Sequence, residues 1–149
     1  MSWLQFMRAY TMVLVPAMLI WEFAQLPLYT LWWDGASGAI AFALLHCTLG
    51  DALIGVSGLV WALLLTGEDA WPARGFGRVL AATLTIGLAY TVYSEWVNVE
   101  LQQTWAYTEA MPRLPWLGTG LAPLLQWVVV PPLALFTARH FMWRGPEAP

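Results

Sequence analysis

The chain contains no lysine; its strong bases are six arginines, set against nine acids. That scarcity excludes nucleic acid as a partner, because a phosphate backbone is held by a basic stripe and the net charge here is −3. Charged residues make up only 10% of the 149, where a soluble domain carries about 25%, so an ordinary solvated surface is excluded too. The single cysteine, Cys47, rules out an internal disulfide and any CxxC site. It falls in an apolar run, where a thiol behaves as a small buried hydrophobe. Neither HExxH nor GxGxxG occurs. Gly55-Val56-Ser57-Gly58 has the GxSG shape of a serine-protease nucleophile loop, but it continues an apolar helix. No other span supplies a histidine at its depth, and a triad is defined by geometry.

What the chain has is long apolar runs and tryptophan. Hydrophobic residues reach 60% and there are 11 Trp, a residue that favours the headgroup boundary of a bilayer. Four runs, at about 9–31, 38–66, 76–97 and 121–143, each meet the roughly 20 residues that cross a hydrocarbon core. Backbone groups in lipid must be satisfied within the segment, so these runs are expected to be helices. The expected fold is all-α: a polytopic four-helix membrane bundle forming one domain. The N-terminal run has one arginine and no small-x-small cleavage site after it, and reads as a retained first span.

Arginine placement sets the expected orientation. Arg8, Arg74, Arg78, Arg139 and Arg144 fall on one side of a four-span arrangement and only Arg113 on the other. The positive-inside rule then places both termini in the cytoplasm of a cell with an inner (plasma) membrane location for the chain. The 98–119 connection would face outward. Leu101 and Trp105, four apart, suggest a short helix there, and Pro112 and Pro115 end it. The connection is read as an interfacial segment over the end of the bundle, with the bilayer itself as a partner.

Polar residues inside the spans carry the functional argument, since charge in hydrocarbon is costly and marks pathways or sites. Counted at about 1.5 Å per residue from the outer ends, Gln126 lies roughly 8–11 Å deep, His46 roughly 12 Å, Glu22 roughly 13 Å and Asp51 roughly 19 Å. Glu95 and Asn98 sit near the outer end of the third span. All four spans thus place polar groups in the outer half. Pro27 is expected inside span one, freeing a carbonyl beside Glu22; Pro131 and Pro132 free those beside Gln126.

Spacing predicts which faces these residues share. Glu22, Gln25 and Tyr29 follow helical steps, as do Thr91, Glu95, Asn98 and Gln102. Ala39, Ala43, Cys47, Asp51 and Gly55 step by four, a small-residue stripe that allows close helix approach. His46 lies about 140° around the helix from Asp51, so His46 is expected to face Glu22 and Glu95, with Asp51 on another seam.

These residues point to an outward pocket for a small amphipathic or cationic ligand. His46, Glu22 and Glu95 are the candidates for proton transfer, because burial can bring imidazole and carboxyl groups toward neutrality. Gln25, Asp51, Tyr93, Trp96, Asn98, Gln126 and Trp21 are the candidates for ligand contact; carboxylates beside aromatic rings suit an organic cation. Three other classes share the same residues. A proton-coupled transporter would use Glu22. A divalent-metal site would use His46 with two carboxylates, although no residue is assigned as a metal ligand and no cofactor is identified. An accessory subunit would bury the small-residue stripe against a partner membrane subunit.

Overall fold

The structure, a computed structural model, describes residues 3–143; Arg144 lies outside the described residues. The chain is all-helical: α1 (Trp3–Gln25), α2 (Leu31–Asp34), α3 (Ser37–Thr66), α4 (Phe76–Glu95) and α5 (Leu121–Trp143). A 3-10 turn at Leu26–Leu28 extends α1, and a π-helical turn at Trp96–Leu101 extends α4. No strand occurs among the described residues, only the isolated antiparallel bridges Tyr29–Tyr107 and Arg113–Gly120. Four segments, Trp3–Leu28, Ser37–Thr66, Phe76–Leu101 and Leu121–Phe141, are long and apolar enough to cross a membrane.

The boundaries differ from expectation where backbone chemistry intervenes. The first helix begins at Trp3, earlier than residue 9, because Phe6, Met7 and Tyr10 already belong to the buried face. It ends earlier as well. Pro27 falls in the 3-10 turn instead of the α-helix, since proline has no N–H to give and disfavours α geometry at Leu26. The third span runs past residue 97 through the π turn to Leu101, and Gln103, with φ 52°, breaks it. The expected short helix presenting Leu101 and Trp105 is therefore absent; Trp105 lies in irregular chain. At the other end of α3, Gly67 adopts φ 60° and its N–H bonds Leu63 O at 3.1 Å, a left-handed glycine cap.

The four long helices form a ring in which α1 packs on α3 and α5, and α4 packs on α3 and α5. One end of the ring is apolar. Phe6, Tyr10, Leu14, Leu59, Ala62, Val79, Leu135 and Ala138 form its core. Tyr10 donates its hydroxyl to Gly55 O at 3.2 Å, and a Cβ at Gly55 would meet Leu14 at 2.8 Å. Here α1 and α3 touch through the small-residue stripe. On the 67–75 loop, Trp71 packs edge-on to Phe6 with centroids 4.4 Å apart, and Glu68 pairs with Arg78.

The other end is polar and is covered by residues 102–120, here called the strap. Thr30 N–H bonds Ala106 O at 2.9 Å, Thr108 N–H bonds Leu28 O at 2.9 Å, and Leu121 N–H bonds Pro112 O at 2.7 Å. The strap buries Tyr107, Met111 and Thr119. Backbone bonds on both margins tie it to the ends of α1 and α5.

Candidate functional site

The strap-side half of the ring encloses a cavity of about 270 Å³. Pockets that hold whole drug-sized ligands occupy about 300–1,000 Å³, so this space sits at the small end of that range. Its wall takes residues from every long helix: Glu22 and Gln25 from α1, Cys47 and Asp51 from α3, Thr91 and Glu95 from α4, Gln126 and Trp127 from α5. No arginine lines it.

A hydrogen-bonded chain crosses the ring on the inner wall. Gln25 Nε2 donates to Glu22 Oε1 at 2.8 Å and to Gln126 Oε1 at 3.5 Å. Gln126 Nε2 donates to Asp51 Oδ2 at 2.9 Å and to Met18 Sδ at 3.0 Å. Both glutamine amides thus spend their N–H groups on these partners. Gln25 Oε1 is left buried without a hydrogen-bond partner, in a residue only 7% exposed. Asp51 and Glu22 line the same cavity. Two bare carboxylates in one confined space repel, and a proton or a cation relieves that repulsion.

Glu95 holds the strap. Tyr107 donates its hydroxyl to Glu95 Oε2 and accepts the Gly120 N–H at 3.0 Å. The Arg113 guanidinium lies 4.9 Å over the Tyr107 ring, and the Tyr29 ring is 5.4 Å away. Burial first, and the Glu95 hydrogen bond second, push the Tyr107 phenol above its ordinary value of 10.0. The associated stability is present below that value and is lost only as pH climbs past it. Tyr107→Phe should cost about 1.5–3 kcal/mol in unfolding experiments, the usual range for a hydrogen bond to a charged group. It should also speed amide exchange across 102–120; unchanged exchange would show that the backbone bonds hold the strap alone.

Several sequence-predicted residues come together and several do not. Glu22, Gln25, Asp51, Glu95, Asn98 and Gln126 all line the cavity. His46 lines the cavity too, at its exposed rim, where it stacks on Phe42 with centroids 5.4 Å apart. Asp51, expected on another seam, shares the same cavity and accepts from Gln126, because the inward face of α3 is broad enough to hold Ala43, His46, Cys47 and Asp51 together.

The predicted aromatic surround is also corrected. Tyr93 and Trp96 are 61% and 48% exposed and lie off the cavity, because Thr91, Ser94, Glu95 and Asn98 form the inward face of that helix. Trp21 instead donates its indole N–H to Ala122 O at 3.2 Å, sealing α1 to α5. The cavity's aromatic residues are Tyr29, Tyr90, Trp105 and Trp127. Tyr90 was readable as one turn before Ser94; Trp105 was not, because it arrives with the strap.

Among the described residues no three His, Cys, Asp or Glu side chains are placed to hold a metal ion together. No family model, curated protein or solved structure matches the chain.

Proposed function

We propose that this chain is a multi-pass protein of the inner (plasma) membrane that binds an amphiphile bearing a basic headgroup. One observation carries the reading: the cavity wall offers Glu22, Asp51 and Glu95, and among the described residues no arginine on that wall answers them. An ammonium group supplies what this set lacks, a positive charge and several N–H donors on one centre. A neutral alcohol of the same length supplies neither the charge nor the donors. Tyr29, Tyr90 and Trp105 add ring surface on which a cation is attracted.

Orientation follows from the arginines. Arg8, Arg74, Arg78 and Arg139 belong to the end opposite the strap, and Arg113 to the strap itself. The positive-inside rule turns the strap and the cavity outward. The function is binding. Proton transfer by His46, Glu22 and Glu95 gains no support, because the imidazole stacks on Phe42 at the rim while Glu22 is engaged with Gln25.

The test is calorimetric titration of the protein in lipid nanodiscs with dodecylamine and with dodecanol. The amine should bind about tenfold or more tightly than the alcohol, and Glu22→Gln should remove most of that preference, as loss of about 1.5–3 kcal/mol at a charged hydrogen bond implies. Equal binding of amine and alcohol would overturn the reading.

A further inference from the structure

The cavity is closed on two sides. Trp21 and the Gln25–Gln126 bond seal α1 against α5, and the strap covers the end through Tyr107 and Glu95. The α3–α4 seam is closed only in its apolar half, where a Cβ at Gly58 would touch Ile86 at 3.6 Å. In the strap half, lining residues of both helices reach the surface: His46 on α3 is exposed and Tyr90 on α4 is 48% exposed, yet both line the cavity. One turn after His46 on α3 comes Gly50, also on the cavity wall, where an added Cβ would meet nothing within 4 Å.

We infer that the cavity opens sideways, between α3 and α4, into the acyl region of the bilayer, and that its ligand is a long-chain amine whose head enters through this gap while its tail stays in lipid. This inference rests on the binding function proposed above and adds the route by which the ligand enters. The cavity of about 270 Å³ has ample room for an ammonium head and the first carbons of its chain. The chemistry of the gap agrees too. Its edges are the Phe42–His46 stack and the Tyr90 ring, amphipathic surfaces suited to a passing charged head and a resting apolar chain. A glycine at the gap leaves room for that chain, as glycine does where something must approach a backbone closely.

The experiment compares dodecylamine binding by four forms in nanodiscs of fixed lipid content: the unaltered protein, Gly50→Phe, Leu49→Phe and Glu22→Gln. Gly50→Phe should weaken binding about tenfold or more by excluding the tail from the gap. Leu49→Phe, at a position 65% exposed on the adjoining face, should leave binding within about twofold. If Glu22→Gln weakens binding and Gly50→Phe does not, the headgroup site stands and the sideways opening is overturned. If the unaltered protein binds no amine, both fall. A second measurement stands even where Gly50→Phe fails to fold. Dodecylamine carrying a diazirine in mid-chain should label 43–54 and 90–98 of the unaltered protein; labelling confined to 102–120 would overturn the sideways route.

Discussion

Gly87→Ala should lower the free energy of unfolding by about 3 kcal/mol, the upper part of the usual range for forcing atoms into a packed core. The added Cβ would lie 2.0 Å from Cε3 of Trp127 and 2.4 Å from Cζ3, so the indole must move. Trp127 is only 1% exposed and lines the cavity. The displaced ring would enter that space, so the same substitution should also reduce amine binding. Trp127→Leu in the Gly87→Ala background should recover part of the lost stability by removing the obstructing ring. Gly77→Ala, where a Cβ meets nothing within 4 Å, should instead be neutral or stabilising by up to about 1 kcal/mol through helix propensity. Unfolding in mild detergent, followed by near-ultraviolet circular dichroism, measures each. A Gly87→Ala cost below about 0.5 kcal/mol would mean that α4 and α5 do not meet as described.

Cys47→Lys should fold and should abolish binding of dodecylamine. Placing lysine in the middle of a membrane helix ordinarily costs about 2.5–3.5 kcal/mol, and more where no partner is near. Cys47 is the exception offered by this fold. It lines the cavity, and its thiol lies within electrostatic reach of Glu22, Asp51 and Glu95. A lysine ammonium there would be a tethered copy of the proposed ligand head, satisfied by the same acceptors. Leu53→Lys, 70% exposed on the same helix and facing away, should carry the ordinary penalty and express poorly. The comparison reads charge complementarity through stability alone, before any ligand is added. Equal damage from the two lysines would show that the cavity does not attract cations.

Much of this architecture was legible in the sequence because hydrocarbon length and apolar runs are local properties. The span at Ser37–Thr66 starts within one residue of expectation, and it ends where expected because Gly67, a left-handed cap, stops it. Of the Ala39–Ala43–Cys47–Asp51–Gly55 stripe, Ala43, Cys47 and Asp51 line the cavity and Gly55 meets Leu14, whereas Ala39 is exposed. What escaped depends on rotation and on partners from distant segments. His46 and Asp51 stand about 140° apart on α3, which suggests two different seams, yet the inward face is broad and both line one cavity, His46 at its exposed rim. Tyr93 and Trp96 flank Glu95 in sequence but stand roughly 100° or more from it around a helix, so proximity along the chain misled. The Gln25–Gln126 and Gln126–Asp51 bonds require the α1–α3–α4–α5 ring order, which no single helix encodes. The strap's register depends on Thr30, Ala106, Leu28 and Thr108 meeting across some 80 residues, again a tertiary property.

The most direct measurement is an experimental density map of the protein in nanodiscs with dodecylamine. The head should lie within hydrogen-bonding distance of Glu22, Asp51 and Gln25 Oε1, with the chain leaving past Gly50 between α3 and α4. A map with Glu22 and Asp51 turned to lipid on separate flanks, or with leucines packed between them and no ligand, would contradict the account.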